Sequence, residues 1–306
     1  MEARSEPGST VSRESDLWRA SFLAPPEAMP ELLEALEELA RAVSIFEHEV
    51  DADQETASWR VELLLDRRPE PKELRSRLRP LCAPFGFRPE AIAVDRVTEE
   101  DWLAAVRTPV APVLVGRFAV HGEAAAAALP PDLVPIRIEA GLAFGTGEHA
   151  TTSGCLEAIE LLARRRRFHR VLDLGCGSGV LAIAAAKCWP CRVVAADIDP
   201  VAVRVAGENV LVNGVADRVR CVTSDGLAHW RIRRSGPFDL IFANILADPV
   251  CALAAPIARA LAPGGRVVLS GFLDRQAEQV ARTYVCHGMR QRRRIEKHPW
   301  VALILG

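Results

Sequence analysis

The chain has 306 residues, a length that allows two domains with a sizeable core. Hydrophobic residues make up 49% of it and charged residues 25%, which is typical of soluble globular proteins and excludes a disordered or collagen-like chain. No apolar run approaches the ~18 residues of a membrane-spanning helix, and the polar first residues do not form a secretory signal, so we expect a cytoplasmic protein.

The net charge of −2 conceals opposite charges in the two parts of the chain. Residues 1–100 carry 22 acids and 13 bases, whereas residues 101–306 carry 18 acids and 25 bases. An excess of acid attracts a basic partner or simply forms a solvated surface, and both interpretations of the N-terminal part stay open.

The eight cysteines are scattered, and the one close pair is Cys188 and Cys191. A zinc site needs further cysteines or histidines at ligand spacing, and a redox pair is expected to follow a strand and open a helix. This pair falls instead between a predicted helix and the next strand. We therefore expect no metal site, and cysteines that pack at a helix end.

The N-terminal part follows the order strand, helix, strand, strand, helix, strand, after a tail predicted to be flexible over residues 1–16. This order is typical of the ferredoxin-like α+β fold, which is a frequent recognition module. The predicted domain covers 17–98, with a strand at Leu17–Leu23, a helix after Pro30 that carries Leu32, Leu33, Leu36 and Leu39, strands at 42–50 and 58–65, a helix at 70–81 and a strand at 91–97.

A linker is predicted over 99–112, where a short helix at 99–107 precedes the prolines Pro109 and Pro112. From 113 to 306 strands and helices alternate, which indicates a parallel sheet covered on both faces. The last two strands have no helix between them and predict an antiparallel hairpin at one edge. The predicted strands are 113–120, 133–138, 170–175, 192–198, 219–224, 238–244, 265–271, 289–295 and 300–305, and a helix is predicted at 151–163.

Three glycines follow the strand at 170–175 in the pattern Gly175-Cys-Gly177-Ser-Gly179, and Asp173 precedes them. Glycines at the carboxyl end of a strand let the backbone approach a ligand closely. Dinucleotide enzymes use Gly-x-Gly-x-x-Gly. This sequence does not match that pattern, because Val180 stands where the third glycine is required. The variant spacing suits a nucleoside without a pyrophosphate, and S-adenosylmethionine is the commonest such ligand.

The next strand ends in Asp197, 22 residues beyond Gly175, where a carboxylate can accept hydrogen bonds from both ribose hydroxyls. Asp199 stands before Pro200 and is predicted to be a helix N-cap. For Asp225, after the following strand, a contact with the adenine edge and a plain turn residue remain alternatives.

The strand at 238–244 ends in Asn244, where ligands bind in open α/β sheets. Its amide is a candidate for orienting an incoming amine or the methionyl end of the cofactor. Enzymes that methylate nucleobase amines usually carry a Pro-Pro-Tyr sequence after this position, and Ile-Leu-Ala stands here instead.

The stretch from Gly141 to Thr152 holds three glycines and three threonines, two of them directly before a helix. It predicts a loop that wraps the cofactor, with Thr152 as a hydrogen-bonding group and Phe144 over the methyl group. The alternative is that Thr151 only caps the helix and that His149 lies on the surface.

Five stretches together resemble the ribosomal protein L-eleven methyltransferases, the PrmA type. They are Gly-Leu-Ala-Phe-Gly-Thr-Gly-Glu-His-Ala-Thr-Thr, Asp-Leu-Gly-Cys-Gly-Ser-Gly-Val-Leu-Ala-Ile-Ala-Ala, Asp-Ile-Asp-Pro, Ala-Asn-Ile-Leu-Ala and Leu-Ala-Pro-Gly-Gly-Arg. The resemblance is close over 101–306 and extends to the element order of the N-terminal part. The chain departs from the family at Glu148-His149-Ala150, where Thr-His-Pro is usual.

The resemblance implies a Rossmann-like class I methyltransferase domain joined to a ferredoxin-like substrate-recognition domain. It implies S-adenosyl-L-methionine as the cofactor, with contacts carried over onto Thr152, Gly175, Asp197 and Asn244. From the residues themselves we add Gly177 of the glycine pattern as a cofactor contact and Asn244 as the catalytic residue that orients the amine. The implied reaction is the trimethylation of lysine and N-terminal amino groups of a basic large-subunit ribosomal protein. An RNA or small-molecule methyltransferase is the alternative function.

Two arginine runs, Arg164–Arg167 and Arg292–Arg294, motivate that alternative, because clustered arginine is typical of phosphate binding. A solvated helix end and an edge strand explain the same runs, so direct binding of nucleic acid is not expected.

Overall fold

The computed structural model describes residues 17–25, 28–29, 32, 35–36, 39–40, 42–48, 58–89, 91–97, 112–122, 129–138 and 150–306. The chain divides into two compact units, residues 1–105 and 106–306. The predicted tail over 1–16, the predicted helix at 99–107, and Phe144, Glu148 and His149 of the predicted cofactor loop lie outside the described residues.

The first unit contains a four-stranded antiparallel sheet in the order β2-β3-β1-β4. Its strands are β1 (Leu17–Ala24), β2 (Ala42–His48), β3 (Ser58–Leu65) and β4 (Ala93–Val97), with helix α1 (Pro71–Cys82) between the last two. This order confirms the ferredoxin-like sheet. Around Pro30, the structure describes Met29, Leu32 and Leu36 as helical and buried.

Alternating side chains of this sheet form a core of their own. Ala20, Phe22, Val61 and Leu63 are buried on one face, and the i, i+4 leucines of α1 are buried with them. The first unit therefore has its own hydrophobic core.

The second unit begins with a small sheet in which the predicted strand 113–120 proved to be two strands. Gly116 turns the chain with φ +55°, and a Cβ atom there would meet the Glu160 carboxylate at 1.3 Å, so only glycine fits. The Arg117 backbone N–H donates to the same carboxylate at 3.1 Å and fixes the turn. The strands are β5 (Val113–Val115), β6 (Phe118–His121) and β7 (Val134–Arg137), in the order β5-β6-β7.

The large sheet has seven strands in the order β10-β9-β8-β11-β12-β14-β13. The first five are parallel to one another, and β14 runs antiparallel to both of its neighbours. This confirms the predicted sheet and its edge hairpin. The strands are β8 (Arg170–Leu174), β9 (Arg192–Asp197), β10 (Val219–Thr223), β11 (Phe238–Asn244), β12 (Leu261–Leu273), β13 (Gln291–Lys297) and β14 (Trp300–Leu305).

Two strands of the sheet differ from the prediction by more than one residue at an end, and β8, β9 and β10 each end one residue earlier than predicted. Leu261 already pairs with Phe238, and a register shift between that pair and the next absorbs Pro263 and its following glycines, so β12 starts four residues early. The chain reaches β13 two residues late, because Gly288 turns it with φ +86° after the preceding helix.

Helices cover both faces of the large sheet. Successive residues along a strand, such as Val171 and Leu172, belong to two different core clusters, which are the two faces. The helices are α2 (Ala150–Ala163), α3 (Val180–Cys188), α4 (Pro200–Val212), α5 (Trp230–Ser235), α6 (Ala247–Ala252), α7 (Ala254–Ala260) and α8 (Ala277–Cys286). Within the described residues no helix is both long and apolar enough to cross a membrane.

The cysteine pair lies at a helix end, as predicted. Cys188 is the last residue of α3, and Cys191 is buried in the core just before β9. The Cys191 thiol contacts the Ala185 carbonyl oxygen at 3.5 Å, and both cysteines are free. These thiols pack the α3 end against the sheet.

Candidate active site

The glycine loop joins β8 to α3 in a conformation that other residues disfavour. Gly175, Gly177 and Gly179 have φ values of +65°, +51° and +82°. A Cβ atom on Gly175 would lie 2.3 Å from Ile245 Cγ2, and one on Gly179 would lie 3.1 Å from the Ala206 side chain. The pattern of three glycines therefore follows from backbone geometry and close packing at the strand end.

Asp197 holds this loop from the neighbouring strand. Its Oδ2 accepts a hydrogen bond from the Gly177 backbone N–H at 2.9 Å, and its Oδ1 accepts one from the Asp199 N–H at 3.0 Å. Each carboxylate oxygen has a second lone pair free for a further donor. Asp197 thus shapes the loop, and its contact with the ribose hydroxyls stays a prediction.

Asp199 is the N-cap of α4, as predicted from Pro200. Its Oδ1 accepts a hydrogen bond from the Val201 backbone N–H at 2.8 Å. Asp225 is exposed in the turn after β10, where its carbonyl oxygen accepts from Ala228 N–H at 3.1 Å. The turn explains Asp225 without a ligand, and the adenine contact stays a prediction.

Asn244 lies at the carboxyl end of β11 with an orphaned acceptor. Ala196 and Ala243 both pair with Leu174, so Asp197, Gly175 and Asn244 follow at one level across three adjacent strands. The strand order reverses between β8 and β11, which is where open α/β sheets bind ligands.

Two buried side-chain oxygens have no hydrogen-bond partner within the described part of the chain, Asn244 Oδ1 and Thr152 Oγ1. Thr152 is fully buried in the first turn of α2. An unsatisfied buried polar group costs roughly 1 to 3 kcal/mol, so both positions favour a bound ligand that supplies the missing partners. The two residues fit a cofactor that carries hydroxyl and amino groups.

Sequence reasoning missed Ile198, which directly follows Asp197 and is 69% exposed. An apolar side chain beside a ribose-binding carboxylate offers a surface for the face of a base. The signal in the sequence was an isoleucine between two aspartates at the end of a predicted strand.

Asp173 is the second acid of the site, and it is almost fully buried. Its Oδ2 accepts a hydrogen bond from the Ala182 backbone N–H at 3.0 Å, which ties β8 to the first turn of α3. Burial raises the pKa of this carboxyl from 3.8 to about 7; the Ala182 hydrogen bond opposes the rise, and the charge of Asp197 adds to it.

The raised pKa of Asp173 predicts a pH-dependent stability. The folded protein holds this proton up to a pH near 7, while the unfolded chain loses it near 3.8, so the contribution to stability is complete below 3.8 and is lost as the pH rises through 7. Asp173→Asn keeps the acceptor for Ala182 and removes the ionisation. We expect urea unfolding from pH 4 to 8 to show this decline in the wild type and not in the variant; parallel profiles would show a carboxyl ionised throughout.

Comparison with known proteins agrees with the geometry. The family model described as ribosomal protein L11 methyltransferase (PrmA), the L-eleven family of the sequence resemblance, matches residues 26–306. The chain belongs to this family. A protein of Bradyrhizobium diazoefficiens named ribosomal protein L11 methyltransferase is 47% identical over 216 residues, which is 71% of this chain and 73% of that protein.

Two further relatives carry the same description. The ribosomal protein L11 methyltransferase of Agrobacterium fabrum is 43% identical over 255 residues, 83% of this chain and 87% of that protein. The crystal structure of a ribosomal protein L11 methylase from Lactobacillus delbrueckii subsp. bulgaricus is 29% identical with a TM-score of 0.58, and it covers 64% of this chain and 98% of that one. The chain is therefore a methyltransferase of the PrmA family, and its methyl donor is S-adenosylmethionine.

Proposed function

We propose that this PrmA-family enzyme methylates amino groups of ribosomal protein L11, by trimethylation of lysine side chains and of the N-terminal amine. The observation that carries the proposal is the orphaned Asn244 oxygen at the level of Gly175 and Asp197. The reaction needs an acceptor for the N–H of the attacking amine, and this oxygen can be that acceptor. Family membership does not favour an RNA or small-molecule substrate.

The residues of the site do two tasks in this reaction. S-adenosylmethionine would supply a methyl group from its sulfonium sulfur, and the neutral thioether S-adenosylhomocysteine would be the leaving group. Asp197 and the glycine loop hold the nucleoside, and Asn244 Oδ1 accepts one amine N–H so that the nitrogen lone pair points at the methyl group. A lysine with a pKa near 10.4 is protonated at neutral pH and cannot attack in that form. Desolvation in the site lowers this pKa and favours the neutral amine.

The first unit is proposed to recognise the substrate, and residues 113–306 to carry out the reaction, with 99–112 as the linker. Supporting this division, the first unit has a separate core and an acidic charge, with 22 acids and 13 bases in residues 1–100. A basic ribosomal protein is complementary to that charge. We place the enzyme in the cytoplasm with its substrate, and direct nucleic-acid binding is not part of the proposed function.

The proposed function is tested by methyl transfer. We expect the purified chain to transfer labelled methyl groups from S-adenosylmethionine to free L11, and mass spectrometry to find the added mass in multiples of three methyl groups at amino positions. Labelling of other ribosomal proteins but not of L11 would contradict the substrate assignment.

Deletion of residues 1–105 tests the division between the units. We expect the remaining unit to bind S-adenosylhomocysteine with unchanged affinity, because both core clusters of the large sheet lie within residues 113–306. Methylation of L11 is expected to fall by at least 10²-fold, because remote binding no longer raises the local concentration of the target amines. A truncated enzyme that binds cofactor and methylates L11 at the full rate would show that the first unit has another role.

A further inference from the structure

The amino ends of the strands in the large sheet, opposite the glycine loop, carry a row of arginines. Arg170 pairs with Arg192 in register, and Arg218 precedes Val219, the partner of Val193, so it stands opposite Arg192. The three residues therefore lie at one level at the amino ends of β8, β9 and β10. Adjacent strands lie ~4.8 Å apart, so the row spans roughly 10 Å.

A second group of arginines continues this edge on the other side of β11. Arg166 and Arg266 both donate hydrogen bonds to the Gly264 carbonyl oxygen, at 2.7 and 2.9 Å. Arg292, at the start of β13, donates to the Gly306 carbonyl oxygen at 2.7 Å. Burial, and then the charges of Arg292 and Arg166, lower the pKa of Arg266, which places all three charges near one another. We call these six residues the arginine edge: Arg166, Arg170, Arg192, Arg218, Arg266 and Arg292.

The sequence did not reveal this cluster, because its members come from separate segments. The run Arg164–Arg167 contributes Arg166, and the run Arg292–Arg294 contributes Arg292. Arg294 is different, since it forms ion pairs with Asp274 and Glu296. The fold thus divides the second run and joins its first residue to the arginine edge.

The charges of the arginine edge are little neutralised. Among the described residues, Arg218 is the one member with a carboxylate ion pair, to Asp217 at 3.5 Å. Asp239 also lies at this edge, and its oxygens accept the backbone N–H groups of His169 and Arg170. Among the described residues, these contacts place two acidic side chains, Asp217 and Asp239, beside members of the arginine edge.

Backbone carbonyls orient most of these guanidinium groups. Arg170 donates to Gly236 at 3.2 Å and Arg218 to Ala186 at 2.5 Å, in addition to the bonds of Arg166 and Arg266 to Gly264. A carbonyl bond fixes the guanidinium and leaves further N–H groups free, without cancelling its charge. Such groups are ready to form bidentate bonds with phosphate.

We propose that the arginine edge binds the phosphate backbone of RNA, without base specificity. Guanidinium groups spread along the amino ends of the strands match a polymer with a phosphate at every residue, and arginine is the side chain suited to bidentate bonds with phosphate. The choice of RNA rests on the proposed function, because a ribosomal substrate belongs to an RNA-containing particle. The arginine edge lies at the amino ends of the strands and the glycine loop at their carboxyl ends, so RNA bound to the arginine edge leaves the proposed cofactor site free. The expectation of no direct nucleic-acid binding is revised for the arginine edge alone.

The test uses the full chain and a fluorescein-labelled single-stranded RNA of about 20 nucleotides, with fluorescence anisotropy measured over a series of salt concentrations. The double variant Arg170→Gln/Arg192→Gln removes two exposed members of the row. Each phosphate contact adds about 0.7 to the slope of log K against log salt for single strands. We expect the variant to lose about 1.4 from that slope and to bind about 25-fold more weakly at 0.1 M salt.

A matched control removes the same charge elsewhere. Arg204 and Arg282 are exposed and form i, i+4 ion pairs with Glu208 and Glu278, so Arg204→Gln/Arg282→Gln is expected to keep wild-type RNA affinity. Equal losses in the two double variants would reduce the effect to net charge and overturn the proposal. Absence of wild-type binding at 50 mM salt would overturn it as well.

Two readouts separate this proposal from other outcomes. A polyglutamate peptide is added as competitor; if it binds as tightly as the RNA and displaces it, the edge is a site for an acidic protein and the RNA assignment is wrong. Methylation of free L11 and binding of S-adenosylhomocysteine are expected to be unchanged in Arg170→Gln/Arg192→Gln. Failure of RNA binding with normal methylation would therefore overturn this inference and leave the proposed function standing.

Discussion

Asp197→Ala is expected to reduce the affinity for S-adenosylhomocysteine by more than 10²-fold. A hydrogen bond to a charged group contributes roughly 1.5 to 3 kcal/mol, and the carboxylate is placed to accept two of them from the ribose, so their loss costs about 3 to 6 kcal/mol. The same substitution leaves the Gly177 and Asp199 N–H groups without their acceptor, which loosens the loop that the ligand approaches. Isothermal titration calorimetry measures the effect directly.

The neighbouring acid provides a matched control. Asp199→Ala removes the cap hydrogen bond to Val201 at the start of α4, which costs about 0.5 to 2 kcal/mol of stability, and it keeps the Asp197 carboxylate. We expect this variant to unfold at a lower temperature and to bind S-adenosylhomocysteine with wild-type affinity. Equal affinities in wild type and Asp197→Ala would show that the Asp197 carboxylate serves only to shape the loop.

The parallel part of the fold was predictable because its signals are local and repeated. Short apolar strands alternate with helices, and the predicted strand 238–244 matches β11 at both ends. The strand 113–120 was predicted wrongly as one element. Val-Gly-Arg inside an apolar run does not reveal that the Glu160 carboxylate, 43 residues further along the chain, accepts the Arg117 N–H and stabilises a turn. Such a long-range contact decides a local conformation that the sequence pattern leaves open.

The candidate site divides in the same way. Residues at strand ends, such as Gly175, Asp197 and Asn244, follow from the position of a polar or glycine residue after an apolar run. The burial of Asp173 and the orphaned oxygen of Thr152 do not follow, because they depend on which helices cover the strand end. The arginine edge was missed for a related reason, since strand order and register, and not chain order, bring its members together.

Asn244→Ala is expected to lower kcat by about 10²-fold or more while the affinity for S-adenosylhomocysteine changes by less than 10-fold. The amide oxygen is buried at the sheet's switch point and has no hydrogen-bond partner among the described residues, so the proposed amine supplies the hydrogen that it lacks. Removal of this acceptor lets the amine rotate away from the methyl group, and misplacement by about 1 Å costs on the order of 10²-fold in rate. Single-turnover methylation of L11 and a cofactor titration separate the two effects.

Asn244→Asp distinguishes an acceptor from a general structural role. The carboxylate keeps an acceptor at the same position and adds a negative charge, which stabilises the protonated amine and raises its pKa. Because only the neutral amine attacks the sulfonium methyl, we expect the rate of Asn244→Asp to be low at neutral pH and to recover at high pH. The midpoint of its pH profile is expected to lie at a higher pH than that of the wild type. If the midpoint of the pH profile is unchanged and the rate falls at every pH, Asn244 contacts the cofactor and not the amine. The amine would then have to be oriented by another residue.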